Sequence, residues 1–185
     1  DGGPHQAPTT TAPTTAPASG FARQILELTN AARKDNGCNT PLRLNSQLST
    51  AAQRHSDDMV AHNFFSHTGS DGSNPFQRMT DAGYQWSGAA ENIAAGSTTA
   101  AATMQQWLNS AGHRANILNC GLVDLGVGYT VGTGATYAGY WVQTFASPAE
   151  PSARPAPGAV KPAGYRDSAT ARANPSSARY GLSAG

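Results

Sequence analysis

The hydrophobic period of the chain changes once, near Cys120, and that change limits the folds open to it. Before it, apolar residues recur at helical spacing. In "FARQILELTNAARKDNG" they fall at Phe21, Ile25, Leu28 and Ala32, and Asn36-Gly37 ends the run. "LRLNSQLSTAAQRHSDDMVAHN" continues at Leu48, Ala52, His55 and Met59, with Asn45 or Ser46 as N-cap. Pro75 suits the first turn of a short helix through Met79 that stops at Gly83. A helix over roughly 98–109 turns Ala101, Met104, Trp107 and Leu108 inward, and "HRANILN" reads as a helical turn. After Cys120, "DLGVGYTVG" and "GYWVQTFAS" alternate in polarity and are joined by "TGATYA", which is the pattern of a hairpin. Helices first and antiparallel strands last predict an α+β domain with helices packed on a small sheet.

The two ends read differently. Residues 1–19, "DGGPHQAPTTTAPTTAPAS", hold almost no core-forming side chains and read as a disordered proline/threonine linker. Residues 148–185 are rich in proline, alanine and serine and read as a disordered tail. Five of the twelve basic residues lie there against two acids, which suits a solvated tail or loose attachment to an anionic wall. The folded unit is thus placed at 20–147.

A net charge of +1 gives no electrostatic case for nucleic acid. No run of eighteen apolar residues is present to span a bilayer. The chain begins at Asp1 without an apolar leader, as a secreted chain does once its signal peptide is removed, or as a chain trimmed at that end does. Cys38 and Cys120 both sit beside turn-forming residues. Two unpaired thiols in a reducing cytosol are one reading. The leader favours export, and hence a disulfide that closes a loop of about 80 residues and contributes about 4 kcal/mol. No Asn-X-Ser/Thr sequon with an allowed middle residue occurs.

Several motifs fail on context. "GLSAG" at Gly181–Gly185 matches a nucleophile elbow by letter, but that elbow needs a strand before it and a helix after it. "GVGYTVG" has the wrong spacing for a dinucleotide loop.

The polar residues that stand out are histidines and one acid. His62 and His67 are five residues apart, about 500° of helical rotation, so on one helix their rings would point about 140° apart. His62 therefore reads as the end of the second helix, where a cationic ring suits the last carbonyls, and His67 as the residue that faces a cleft. His55 falls on the inner face of that helix, as a hydrogen-bonded core histidine. Glu91 lies in "GAAENIAAG" with no charged neighbour, either exposed in a loop or placed where a cavity needs a carboxylate. His113 follows Gly112 just before a helical turn. His67, Glu91 and His113 are of the type that holds Zn²⁺. The same set supports His/Glu proton transfer with Ser66 or Ser110 as nucleophile.

Five separated segments resemble the CAP superfamily of cysteine-rich secretory proteins, antigen 5 and pathogenesis-related proteins, in its bacterial, single-domain secreted form. They are "NAARKDNG…PLRLNSQLSTAAQRHSDDMVAHNFFSHTGSDGSNPF", "AENIA", "WLNSAGHRANIL", "LGVGY" and "YWVQTFA". The resemblance covers about 21–147 and implies an α-β-α sandwich with a central antiparallel sheet and a cleft lined by two histidines and acidic residues. Carried over by motif, these are His67, Glu91 and His113. Ser110 stands where animal and plant members usually have a second glutamate, three residues after Trp107, so the cleft is short one carboxylate. The cysteine pattern of the eukaryotic members is absent.

The family resemblance implies extracellular binding of lipids or sterols, of divalent metals or, in a few members, endopeptidase activity. The leading expectation is a secreted, monomeric binding protein with zinc between His67 and His113 and a lipid- or sterol-like or cell-surface partner. The alternatives are a metal-dependent hydrolase with Glu91 as base, and a disulfide-stapled wall-associated module with no functional metal.

Overall fold

The computed structural model describes residues 19–150 and the backbone of 180–184. Of the linker expected at 1–19, residues 1–18 lie outside the described residues, as do 151–179 and 185 of the disordered tail expected at 148–185. Within that tail, 180–184 instead form a strand because they pair with the edge of the sheet. The elements are α1 (Gly20–Asp35), β1 (Arg43–Leu44), α2 (Ser46–Ala61), α3 (Pro75–Asp81), β2 (Trp86–Ala95), α4 (Ala100–Leu108), α5 (Ala111–Ile117), β3 (Asp124–Val131), β4 (Gly139–Pro148) and β5 (Tyr180–Ala184).

The sheet order is β1-β3-β4-β2-β5. β2, β4 and β3 are antiparallel neighbours, whereas β1 joins β3 and β5 joins β2 in parallel. Helices α1, α4 and α5 pack on one face and α2 and α3 on the other, so the domain is the expected α+β, α-β-α sandwich with parallel pairs added at both sheet edges. The pleat of β2 and β4 divides the core. Ala90, Ala94, Trp141 and Phe145 join Ile25, Trp107 and Ile117 in the α1/α4/α5 layer. Ala89 and Ala146 meet Leu48 and Met79, and Ile93, Tyr140 and Val142 meet Ala52 and Met59, in the α2/α3 layer.

β2 is the element the sequence hides. Helices cover both its faces, so it is built of alanines that admit close packing on either side, and alanine carries little strand preference. The glycines of β3 serve the same closeness. A Cβ on Gly126 would lie 2.2 Å from the Leu48 carbonyl carbon, and one on Gly128 2.4 Å from the Ala52 carbonyl oxygen, so α2 rests directly on the β3 backbone.

Two helix faces differ from expectation. α1 buries Ala22, Ile25, Thr29 and Arg33, while Leu28 is 38% exposed. Polar Thr29 and Arg33 can face inward because the Thr29 hydroxyl and both terminal nitrogens of Arg33 are paired, although Arg33 Nε has no partner among the described residues. Thr29 Oγ1 donates to Ile25 O, and the Arg33 guanidinium donates to the carbonyls of Ile117, Asn119 and Leu122. On α4, Ala101 is exposed, and Ala100, Thr103, Met104 and Trp107 face the core.

Local signals elsewhere hold. Asn45 caps α2 through Leu48 N–H, and Asn74 with Gln77 forms a capping box at Pro75. A disulfide joins Cys38 to Cys120 across 82 positions. Ser183, the letter match to a nucleophile, lies inside strand β5 and not on an elbow.

Candidate functional site

The site starts from a buried carboxylate. Glu91, in the middle of β2, points into the α2/α3 layer and is 1% exposed. A carboxylate there must be paired, because an isolated buried charge is very costly. Its Oε1 lies 2.7 Å from His67 Nδ1, and Arg78 on α3 brings its Nη2 to 3.1 Å from Oε2 and 3.3 Å from Oε1. The same guanidinium donates to His67 O at 2.8 Å and to Ser73 O at 2.9 Å. Arg78 thus ties α3, the His67 loop and β2 into one unit. It bears no sequence signature, since its role follows from a helix whose placement the pattern does not give.

The loop that carries His67 is clamped from a second side. Asp58 on α2 accepts from Ser70 N–H at 2.9 Å and from Ser70 Oγ–H at 2.5 Å. Burial alone would raise the Asp58 carboxyl, but these Ser70 bonds and the nearby His62 hold it below the ordinary carboxylate value.

His62 closes α2 as expected. It is the C-cap residue, its Nδ1 lies 2.8 Å from Asp58 Oδ1, and Asn63 follows with φ 47° in the left-handed region. His55 is 1% exposed and its Nε2 lies 2.8 Å from Ser66 O, so Nε2–H donates and Nδ1 is the acceptor atom. That Nδ1 has no hydrogen-bond partner among the described residues. Burial lowers the His55 pKa first of all, with Arg78 adding to the effect and Glu91, Ser66 and Asp58 opposing it.

Beside this unit lies a cavity of about 270 Å³, with Arg54, His55, Asp58, Asp71, Arg78 and Asp81 in its wall. A second, of about 410 Å³, opens between α1 and the Cys38 loop and is walled by Asn30, Lys34, Asn39 and Pro41 among others.

His113 is placed differently. Glu91 and Asn92 are adjacent, so the pleat sends Asn92 to the opposite face of β2, into the α1/α4/α5 layer. There Asn92 Nδ2 donates to His113 O at 3.2 Å, Asn116 donates to Asn92 Oδ1 at 2.9 Å, and Gln143 donates to Thr29 Oγ1 at 2.8 Å. The His113 ring is buried with its Nδ1 2.7 Å from Ser110 Oγ. Ser66 Oγ, the other nucleophile candidate, accepts the Thr68 N–H. The structure therefore brings His67 and Glu91 together, adds Arg78, and holds His113 with Ser110 on a helix of the other layer.

This donor set does not suit a divalent ion. Both Glu91 oxygens face Arg78, and among the described residues no group of three or more His, Cys, Asp or Glu side chains is arranged to hold a metal.

A sandwich of this topology, with a histidine-carboxylate unit beside the sheet and a disulfide between turns, defines an SCP-like domain. The chain belongs to the cysteine-rich secretory protein (CAP) family, whose model matches residues 26–145. It is 39% identical over 137 residues to YkwD of Bacillus subtilis, a match that takes in 74% of this chain and 50% of that one. Among solved structures it is similar to an extracellular protein containing an SCP domain from Bacillus anthracis, with 36% identity and a TM-score of 0.60 over 69% of this chain and 40% of that one. An outer surface protein of Borrelia burgdorferi shares the fold at a TM-score of 0.62 and 20% identity, over 69% of this chain and 92% of that one. The chain spans about half the length of its curated relative YkwD. Among the described residues no helix is long and apolar enough to cross a membrane.

Proposed function

We propose that the protein is an extracellular binding module whose ligand is polar, carrying hydroxyl groups and charge of both signs. The observation that carries this is the cavity walled by Arg54, Arg78, Asp58, Asp71 and Asp81, directly joined to the buried Glu91–His67 pair through Arg78. The charged and amide side chains in the walls of the two cavities above give hydrogen-bonding partners to a polar ligand. The extracellular setting is supported by the Bacillus anthracis relative and by the Cys38–Cys120 disulfide.

Titration of ¹⁵N-labelled protein with N-acetylglucosamine oligomers, with and without a short peptide stem, tests this reading. The expected result is saturable shifts at Ser70, Ser73 and the Arg78 Nε–H that are lost in Asp58→Asn. Shifts confined to other regions would overturn it. Zinc, the other expected occupant, should leave the same signals in place because Arg78 faces both Glu91 oxygens.

A hydrolytic reading is favoured by one contact. A buried carboxylate 2.7 Å from His67 Nδ1 is the arrangement that orients an imidazole and leaves Nε2 as its acceptor. In that reading His67 is the base and Glu91 positions it, so the base role expected for Glu91 moves to its neighbour. Cleavage of a peptide library that resists chelators and disappears in His67→Gln would support it. Cleavage that survives His67→Gln would remove it.

A further inference from the structure

The geometry points to a peptide-docking strip on the outer edge of β2. This strip takes an extended segment in parallel register, and the chain's own residues Tyr180–Ala184 occupy it reversibly. The inference goes beyond the polar-ligand reading and does not depend on which ligand binds.

Strand β2 is paired with β4 on one side along its length. On the other side it would present a row of unpaired N–H and C=O groups, the template on which an extended chain adds. β5 takes that place over five positions, from Glu91 opposite Tyr180 to Ala95 opposite Ala184. The strip begins at the residue that holds His67 and runs against α5, the helix that carries His113. An occupant therefore closes the β2-edge approach to Glu91.

The occupant's sequence, "YGLSA", carries no charge and no proline, so every residue can join a ladder and none brings a charge to the edge. Reach is not limiting. The chain leaves β4 at Pro148 and enters β5 at Tyr180, and roughly 30 residues can extend about 100 Å.

A five-residue strand is a weak ligand by itself, and tethering raises its local concentration to about the millimolar range. Such a balance seats the segment while leaving it exchangeable with another extended peptide. The strip is thus a gate that opens when a competing strand displaces β5.

Hydrogen exchange on the full chain reads this directly. Neighbouring residues of a strand direct their N–H groups to opposite sides, so Leu182→Pro with Ser183→Pro removes a donor facing β2 in either phase. The amides of Glu91–Ala95 that face β5 should exchange about tenfold faster in this variant, with β3 unchanged. A chain ended at Arg179 should show the same change. The labelled peptide "ARYGLSAG" should bind both altered chains and bind the wild type at least about tenfold more weakly, because its site is filled in cis. The peptide carrying both prolines should bind none of them. Equal β2 protection in all three proteins, or equal peptide binding to all three, would overturn the proposal.

Discussion

Glu91 Oε1 lies 2.7 Å from His67 Nδ1 while Arg78 Nη2 lies within 3.3 Å of both Glu91 oxygens, so one buried carboxylate serves two partners from different elements. This makes Glu91 a structural anchor as well as a group of the site. The side chains of His67 and Arg78 are each only 11% exposed, so solvent screens the pairs little.

Removing one partner should therefore be costly. Arg78→Met leaves the Glu91 carboxylate buried with half its compensation, and a loss of about 3–5 kcal/mol in urea unfolding is expected. Adding Glu91→Gln to that variant should restore most of the loss. A double variant as unstable as the sum of the two singles would show that the residues do not act as a pair.

Acidification should weaken the fold through His55. Its pKa in the folded protein lies below the ordinary 6.5, because burial of the ring outweighs the carboxylates near it. The unfolded chain then binds the proton more readily. The stability this residue contributes is fully present above 6.5 and is lost as pH falls below that value. His55→Gln keeps a donor for Ser66 O and removes the titration, so its denaturation midpoint should fall less than that of the wild type between about pH 7 and pH 5. Parallel pH profiles for the two proteins would contradict the assignment.

The β3 glycines should resist substitution. At Gly126 a methyl group would meet the Leu48 main chain and Thr144 Oγ1 at 2.2–2.4 Å, and backbone atoms cannot rotate away. Gly126→Ala is expected to cost about 3 kcal/mol or more in thermal or chemical unfolding. Gly88→Ala, where the nearest atom is a Leu122 side-chain carbon at 3.7 Å, should cost far less at its own position.

Replacing both Cys38 and Cys120 with alanine releases a long loop in the unfolded chain. A loss of about 4 kcal/mol is expected, read as a lower urea midpoint. The buried Arg33, which holds three carbonyls on both sides of Cys120, should keep the native turn in place in that variant.

Much of this was legible in the sequence because local chemistry and tertiary demand agree. The Asn45 cap, Pro75 at the start of α3 and the hairpin alternation each name their element from a few neighbours. β2 was not legible, since alanine in "SGAAENIAA" is dictated by helices on both faces and not by strand preference. The inward face of α1 was displaced because Thr29 and Arg33 are polar residues whose partners lie far along the chain. His67 and Glu91 could be named from short motifs, yet Arg78 could not. The Asn92 bond to His113 O, from the face of β2 opposite Glu91, follows from strand pleat, which becomes readable only once "AENIA" is known to be a strand. β5 was hidden because an edge strand borrows its partner groups from β2, and the short uncharged segment has little pattern of its own.

The 2.7 Å contact from Glu91 Oε1 to His67 Nδ1 should orient the imidazole and fix its tautomer. Histidine-selective ¹H–¹⁵N long-range spectra of the full chain, recorded at alkaline pH where the ring is neutral, test it most directly. His67 is predicted to carry its proton on Nδ1 in the wild type and to lose that preference in Glu91→Gln. An Nε2–H tautomer of His67, unchanged by Glu91→Gln, would contradict the account.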